Sequence, residues 1–487
     1  MNFTRSLLEK MQLHPGKKVA IHDDSGAVTY NDMLQDVADS YGKLIQQGIR
    51  PGQRVIILMS DSSTWANFFL ALSAAGAVIV LLNPKLPIAI RTDMIAKSQC
   101  DAILYDSTEL PTDEFANFAV RLYDVATMLS APNTQLAYHE YSDTEQGLWC
   151  NSSGSTGRGI KYVAHPHANL FAVLDIESLV SHITPDSVTF VTSKLTFQYG
   201  LTKLLNSLWV GGSAVITAQL PSRNLVYGNI KTHKVTHFFT TPTVLYNLLK
   251  QHAPSDAMAT VTAAWVGGEV LNKQAEEKFK EMFGLPIYNC FGMAEILSFA
   301  IVQGHDHYKE FTLGKPLATV DIRYEPIEST SGDLVEMYIK SPCMAIDYFN
   351  DPVATEASFK DGWFRTRDIV QVDSDGFVHY VCRAGDYVKV KSSFVSMIEV
   401  EEQLDAMNNV DECVVIPYTT PSGGIELRAY IVPADGATIT PGQVREFLFP
   451  RLESHKVPKQ IVFVDNIPKT VTTKKIRNVS AFPAVQM

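Results

Sequence analysis

Cysteine is scarce in this chain and widely spaced. The sequence of 487 residues holds six cysteines, and no two of them form the C-x-x-C pair that structural zinc sites commonly use. Neither a zinc site nor a disulfide framework is therefore indicated, and a reducing, cytoplasmic setting is expected. The cysteines are Cys100, Cys150, Cys290, Cys343, Cys382 and Cys413.

Long apolar runs are also missing. The longest one, residues 68–82, contains Ser73 and Gly76 and is shorter than the ~20 residues that span a bilayer. It predicts a buried helix that continues into a buried strand. Residues 1–18 mix polar and apolar side chains and lack the apolar core of a signal peptide. We therefore expect neither a membrane span nor a signal peptide.

Positive charge is in deficit. The chain has 41 Lys and Arg against 52 Asp and Glu, a formal net charge of −11, which argues against nucleic acid or an anionic membrane as the main partner. Its 46% hydrophobic and 19% charged residues are typical of a globular protein. The length exceeds one ordinary domain, so we expect two or more domains and a large buried core.

Short apolar segments alternate with helix-period segments from residue 19 to about residue 380. This alternation predicts an α/β fold in which helices cover mostly parallel sheets. A polar turn at residues 373–376 separates two halves of a predicted hairpin, and a smaller α+β unit follows. We therefore predict a large domain over residues 1–382 and a small one over residues 383–487. Strands are expected at residues 102–105, 188–192, 213–217, 235–240, 263–266, 412–418 and 426–432, and small-domain helices at 399–406 and 441–449.

Small, hydroxylated and glycyl residues are concentrated between Ser152 and Lys161. Such a loop can hold phosphate, because glycines let backbone N–H groups converge on an anion and Lys161 supplies a positive charge. A Ser/Gly-rich segment is also typical of a flexible loop, and the residues alone leave that alternative open. The loop is not a Walker loop, since Ile160 and not lysine follows Gly159. The candidate phosphate-binding residues are Ser152, Ser153, Gly154, Ser155, Thr156, Gly157 and Lys161.

Further motifs follow this loop in a fixed order along the chain. They occupy residues 165–170 (HPHANL), 197–200 (FQYG), 239–243 (FTTPT), 265–269 (WVGGE), 289–295 (NCFGMAE), 362–368 (GWFRTRD), 383–389 (RAGDYVK) and 468–474 (PKTVTTK). Together with the loop they resemble the acyl-adenylate-forming enzymes, a superfamily of acyl- and aryl-CoA synthetases, peptide-synthetase adenylation domains and luciferases. The motif style is most similar to that of aryl- and benzoate-type CoA ligases, and the resemblance covers nearly the whole chain.

The resemblance implies an acid–thiol ligase that uses ATP and Mg²⁺. A small carboxylic acid, expected to be aromatic, would attack the α-phosphate of ATP to give an acyl-adenylate and pyrophosphate, and the acyl group would then pass to CoA. The small domain is implied to be a mobile lid. A carrier-protein phosphopantetheine thiol is the alternative acceptor, and a homologue that binds nucleotide or acyl group without turnover is a further alternative. Whether the chain is a monomer or a homodimer is left open.

The resemblance also implies roles for the nucleotide-site residues. Lys474 would be the catalytic residue that neutralises charge between the carboxylate and the α-phosphate, with a solvated basic tail as the alternative. Glu295 would hold Mg²⁺, or else be a surface carboxylate. Asp368 and Arg383 would contact the ribose hydroxyls, with a structural ion pair as the alternative. The adenine-site candidates are Gly267, Gly268, Glu269, Asn289, Phe291 and Gly292.

An acyl pocket is implied around the aromatic segment at residues 197–200. Glycine leaves room there for a flat ring, and tyrosine supplies a wall. The substrate-binding candidates are Phe197, Tyr199, Gly200, Gly267 and Ser298. Benzoate-type ligases often have histidine at the position of Ser298. His165 and His167 lack a third or fourth ligand nearby in sequence, so helix-start packing is favoured over a zinc site.

Several positions depart from the family pattern. Ala294 replaces a threonine, Arg367 replaces a glycine beside Asp368, and Gly385 stands where the domain hinge usually has aspartate. Ser392 and Thr473 replace two further glycines. These departures place transfer to the thiol in more doubt than adenylation.

Overall fold

The computed structural model of the chain describes residues 1–129, 131, 134–152, 160–254, 256–327, 334–385, 387–390, 393–420, 423–469, 475–477 and 482. These residues form two compact units. The large unit comprises Met1–Ser152, Ile160–Asp321 and Lys340–Phe364, and the small unit comprises Ile322–Ile339 and the described part of Arg365–Met487. The units part between Phe364 and Arg365, before residue 383, so the expected domain boundary at 382/383 stays a prediction.

The large unit alternates helices and short strands along the chain. Its helices are α1 (Phe3–Met11), α2 (Tyr30–Gln46), α3 (Ser63–Ala74), α4 (Ile88–Ser98), α5 (Asn169–Ser181), α6 (Gln198–Val210), α7 (Arg223–His233), α8 (Pro242–Leu249), α9 (Lys273–Phe283) and α10 (Pro352–Ser358). Its strands are β1 (Val19–Asp23), β2 (Gly26–Thr29), β3 (Arg54–Leu58), β4 (Val78–Leu81), β5 (Ala102–Tyr105), β6 (Arg121–Asp124), β7 (Gln146–Asn151), β8 (Tyr162–Pro166), β9 (Val188–Val191), β10 (Ser213–Val215), β11 (His237–Thr240), β12 (Ala263–Gly267), β13 (Tyr288–Met293), β14 (Ser298–Val302), β15 (Lys315–Pro316), β18 (Asp347–Tyr348) and β19 (Phe359–Lys360).

Two mostly parallel sheets organise this unit. Within the described residues the larger sheet has nine strands in the order β15-β14-β13-β12-β11-β9-β10-β1-β2, and the other has seven in the order β18-β8-β7-β4-β3-β5-β6. The strands β13, β12, β11, β9, β10 and β1 run parallel to one another, as do β7, β4, β3, β5 and β6. The predicted helix-covered, mostly parallel α/β architecture is therefore confirmed.

The longest apolar run forms a buried helix and a buried strand, as its sequence predicts. The side chain of Ser62 accepts a hydrogen bond from the Trp65 N–H and so caps the start of α3. Nearly all side chains of α3 are buried, and all four of β4 are. The run therefore supplies core to the large unit. Among the described residues, no helix has both the length and the apolar character needed to cross a membrane.

The small unit is an α+β structure with its own core. Its elements are β20 (Trp363–Val372), which begins two residues before the unit boundary, β21 (Val378–Arg383), β22 (Tyr387–Val390), β23 (Ser393–Ser396), α11 (Met397–Asp405), β24 (Val410–Thr419), β25 (Ile425–Pro433), α12 (Pro441–Leu448) and β26 (Gln460–Phe463), with β16 (Asp321–Pro326) and β17 (Val335–Lys340) from earlier in the chain. The predicted hairpin is β20–β21, and the two helices and two strands expected here correspond to α11, α12, β24 and β25. Val400, Leu404, Val415 and Leu427 are among the side chains that fill this core.

Candidate active site

The predicted site residues of the large unit gather at one edge of the nine-stranded sheet. Strands β9, β11, β12 and β13 are adjacent and parallel, so their carboxyl ends share an edge, where α/β proteins commonly bind ligands. The candidates that lie at these strand ends or follow them are Phe197, Tyr199, Gly200, Gly267, Gly268, Glu269, Phe291, Gly292 and Glu295. Motifs that lie far apart in the sequence therefore come together at this edge of the sheet.

Glu295 lies in the 3₁₀ turn that follows β13. Its Oε1 accepts a hydrogen bond of 2.7 Å from the Tyr348 hydroxyl, and its carbonyl accepts one of 2.8 Å from the Ala345 N–H. The Lys161 Nζ lies 4.7 Å from the centre of the same tyrosine ring and 3.3 Å from an Asp351 carboxylate oxygen. Tyr348 thus brings the predicted metal ligand and the predicted loop cation together. Tyr348 is not among the residues predicted from the sequence, and its two-residue strand carries no motif that could have indicated it.

His165 supports the backbone beside Glu295. Its ring is fully buried, and burial lowers its pKa to about 4, although a hydrogen bond to the Ala294 carbonyl opposes the shift. Its Nε2 lies 2.7 Å from that carbonyl, which can only accept, so Nε2 carries the proton. The side-chain amide of Asn169 then donates to Nδ1 over 3.0 Å. The neutral ring therefore links the first residue of α5 to the segment that carries Glu295.

The candidate phosphate loop is closed at its base by two hydrogen bonds. The Ser152 N–H donates to the Lys161 carbonyl over 2.9 Å, and the Lys161 N–H donates to the Ser152 hydroxyl over 3.2 Å. Antiparallel β7 and β8 lead into and out of this base. The remaining loop candidates, Ser153, Gly154, Ser155, Thr156 and Gly157, lie outside the described residues.

The two adenine-site segments carry side chains that already have partners. The Glu269 carboxylate accepts a hydrogen bond of 2.7 Å from the hydroxyl of Thr243, which belongs to another of the sequence motifs. The Asn289 side-chain amide donates to the Thr312 carbonyl over 3.3 Å. Contact of Asn289 with an adenine, and stacking of Phe291, stay predictions.

The acyl-pocket candidates lie in an aromatic environment. The buried Tyr199 ring packs edge to face with Phe239 and Phe299, with ring centres 6.3 and 5.8 Å apart. Phe197 directly precedes α6, and Ser298 is the first residue of β14. The Ser298 hydroxyl is buried and, among the described residues, has no hydrogen-bond partner. Its contact with a bound acid stays a prediction.

Two of the acyl-pocket candidates are glycines that close packing requires. A Cβ on Gly200 would lie 2.4 Å from the Lys194 carbonyl oxygen, and one on Gly267 would lie 2.6 Å from the Cys290 sulfur. Both distances are below any real van der Waals contact. The glycines therefore allow α6 and β12 to approach their neighbours, a reason that the sequence alone did not supply.

In the small unit Asp368 and Arg383 face each other across the β20–β21 hairpin. The Arg383 Nε donates to an Asp368 carboxylate oxygen over 3.1 Å, and Asp368 is 3% exposed. The ion pair expected as the structural alternative is present, and the contacts to ribose stay a prediction. Arg367 adopts φ +62°, the left-handed conformation that favours glycine. Lys474 lies outside the described residues.

The described residues offer Mg²⁺ few protein ligands. No group of three or more His, Cys, Asp or Glu side chains in the described part of the chain is arranged to hold a metal ion. Mg²⁺ commonly binds one or two carboxylates and completes its shell with water and substrate phosphates. Glu295 as a single carboxylate therefore fits a metal that arrives with ATP.

Comparison with known proteins gives consistent matches over most of the chain. The sequence profile of AMP-binding enzymes matches residues 7–349, and that of the AMP-binding enzyme C-terminal domain matches residues 399–474. The chain is 28% identical to a benzoate–CoA ligase of Thauera aromatica, over 94% of this chain and 91% of that protein. It is 27% identical to a 3-hydroxybenzoate–CoA ligase of an Aromatoleum species, over 93% and 91%. A solved benzoate CoA ligase from Burkholderia xenovorans LB400 superimposes with a TM-score of 0.86 at 26% identity, over 98% of this chain and 99% of that one.

Proposed function

The chain belongs to the AMP-binding enzyme family, and we propose that it activates a small aromatic carboxylic acid with ATP and transfers the acyl group to CoA. The observation that carries this proposal is the shared carboxyl edge of β9, β11, β12 and β13, where the acyl-pocket and nucleotide candidates meet. Its similarity to ligases that act on benzoate and 3-hydroxybenzoate supports an aromatic acid and a CoA acceptor.

The first step joins the acid to AMP. A carboxylate oxygen attacks the α-phosphorus of ATP, the bond from that phosphorus to the pyrophosphate oxygen breaks, and pyrophosphate leaves. Negative charge grows on the phosphate oxygens, so fixed cations and orientation supply the catalysis. Lys161 and Lys474 carry that positive charge, while the Tyr348 hydroxyl holds the Glu295 carboxylate in place. When bound at Glu295, Mg²⁺ neutralises phosphate charge.

The second step replaces AMP with the thiol. The CoA sulfur attacks the acyl carbon, the bond between that carbon and the phosphate oxygen breaks, and the thioester and AMP are released. Asp368 accepts from the ribose hydroxyls and Arg383 donates to them, which keeps the nucleotide oriented through both steps.

Exchange of labelled pyrophosphate into ATP tests the first step. We expect exchange that depends on an aryl acid, and we expect Lys474→Ala to lower it by about 100-fold or more, the loss typical of a preorganised charge at the reacting centre. Lys459→Ala, which removes an exposed lysine of the small unit, is the matched control and should exchange like the parent. No exchange with any aryl acid would refute the enzyme proposal, and full exchange by Lys474→Ala would refute the assignment of that lysine.

The acceptor is tested separately by mass measurement of the thioester. The acyl-adenylate is formed first, and CoA or a holo carrier protein is then added. We expect acyl-CoA to form rapidly. If the acyl group passes to the carrier protein and not to CoA, the acceptor is the carrier-protein phosphopantetheine thiol.

A further inference from the structure

A fully buried ion pair lies behind the acyl-pocket candidates. Glu177 of α5 and Lys203 of α6 both have side chains that are 0% exposed, and the Lys203 ammonium donates to Glu177 Oε2. The Thr202 hydroxyl donates to the other carboxylate oxygen over 3.1 Å. Burial lowers the pKa of Lys203, and the carboxylate of Glu177 opposes that shift. No motif in the sequence includes either residue.

The pair is in contact with the aromatic rings around Tyr199, an acyl-pocket candidate. Lys203 follows Tyr199 by one helical turn, so both side chains lie on the same face of α6. Its Nζ is 4.0 Å from the ring centre of Phe299, 4.9 Å from that of Phe239 and 5.6 Å from that of Tyr199. The ammonium is therefore covered by the rings that are expected to border the acid.

The Glu177–Lys203 pair can form more hydrogen bonds than its protein partners supply. Among the described residues, only Glu177 supplies an oxygen acceptor to the three N–H groups of Lys203. Folding alone gives little reason for such a pair, because apolar side chains of similar volume often serve stability equally well. A polar group on the acid would use the spare donors and acceptors.

We propose that the Glu177–Lys203 pair determines specificity by binding a hydroxyl group on the ring of the aromatic acid. The inference rests on the proposed function and names the substrate class of the same site. A phenolic hydroxyl can accept from the ammonium and donate to the carboxylate, whereas an unsubstituted ring can do neither. Phe239 and Phe299 cover the ammonium, so this contact requires one of the two rings to move when the acid binds.

The test compares benzoate, 3-hydroxybenzoate and 4-hydroxybenzoate in pyrophosphate exchange, with calorimetric binding of the same acids in parallel. We expect the parent to prefer one hydroxylated acid by about 10- to 100-fold in kcat/KM, the range of a hydrogen bond to a charged group. The double variant Glu177→Met/Lys203→Met should fold and lose most of this preference while its KM for ATP stays close to that of the parent. The control replaces the exposed pair Lys231–Asp256 by Met and Asn and should keep the preference.

Each outcome decides the proposal. Equal use of all three acids by the parent, or an unchanged preference in the double variant, would overturn it. If no acid supports exchange, the proposed function fails, but the binding measurements still test the role of the pair. A preference for a hydroxylated acid that the double variant loses supports that role. Equal binding of the three acids, or no binding, overturns it. The charge-reversed variant Glu177→Lys/Lys203→Glu keeps both polar groups and should retain part of the preference, which a purely structural role would not predict.

Discussion

The large and the small unit each bury a carboxylate on a helix, but they surround it differently. In the large unit Glu177 faces one cation, Lys203, and aromatic rings enclose the pair. In the small unit Glu401 of α11 accepts from Arg477 over 2.7 Å and from the Val415 N–H over 2.8 Å, and a Lys475 ammonium lies 4.0 Å away. The carboxylate of Glu177 contacts only side chains, so Glu177 and Lys203 can be replaced together by apolar residues. The Glu401 cluster joins three segments of the chain, so no single substitution can replace all of its contacts.

Loss of Glu401 gives the largest expected effect on stability. Glu401→Ala removes the buried carboxylate that accepts from Arg477 and from the Val415 N–H, and we expect the small unit to lose roughly 3–5 kcal/mol of unfolding free energy. Hydrogen exchange of the α11 and β24 amides in the full chain measures this loss. The control Asp411→Ala removes an exposed carboxylate and should change little. A loss below about 1 kcal/mol would show that the cluster does not hold these segments together.

The large-unit pair should respond differently to single and double substitution. Lys203→Met leaves Glu177 buried without a cation and is expected to cost roughly 3 kcal/mol, whereas Glu177→Met/Lys203→Met is expected to cost less than about 1 kcal/mol. Urea unfolding followed by tryptophan fluorescence measures both variants. If the double variant is as unstable as the single one, the Glu177–Lys203 pair cannot be replaced together, and the proposed difference between the two units is wrong.

A smaller effect on stability is expected from substitution of Arg367, an exposed cation of the small unit. Arg367 pays for a left-handed backbone at φ +62°, so Arg367→Gly should gain about 1 kcal/mol of stability. Arg367→Ala removes the same charge but keeps the strain and should gain little. Thermal unfolding of the two variants separates backbone strain from charge. Equal shifts in both would assign the effect to the lost guanidinium.

A further effect depends on pH and concerns a buried carboxylate that has no cation within 4 Å among the described residues. Glu276 of α9 accepts from the Phe311 N–H over 3.1 Å and from the Tyr308 hydroxyl over 3.3 Å. Burial raises its pKa from 4.5 to about 7, and the hydrogen bond from Phe311 opposes the shift. The native state therefore binds more protons than the unfolded state between these two values, and its stability falls as pH rises through that window.

Glu276→Gln removes this titration and should flatten the dependence of stability on pH between about 4.5 and 7. Unfolding curves at a series of pH values, with the exposed Glu277→Gln as control, measure the change. A parent whose stability rises across the same window would contradict the raised pKa.

Much of the fold followed from local patterns, and two predicted strands are wrong only at their ends. The strand expected at residues 235–240 begins only at His237, because the Val235 N–H donates to the Ile230 carbonyl and closes the end of α7. The strand expected at 213–217 ends at Val215, and the Thr217 hydroxyl binds Asp24 instead. Apolar and β-branched residues predict the strand itself, but hydrogen bonds outside the sheet set its ends, whether the partner is near in sequence, as Ile230 is, or distant, as Asp24 is.

The sequence by itself determined the chemistry of the family, because binding phosphate, metal and ribose requires particular residue types at short spacings that motifs record. Only the tertiary structure decided which side chains complete the site. Tyr348 meets Glu295 across 53 positions, and Lys203 meets Glu177 across 26. No local pattern specifies such contacts, since they depend on how β18 lies beside β8 and how α5 packs on α6.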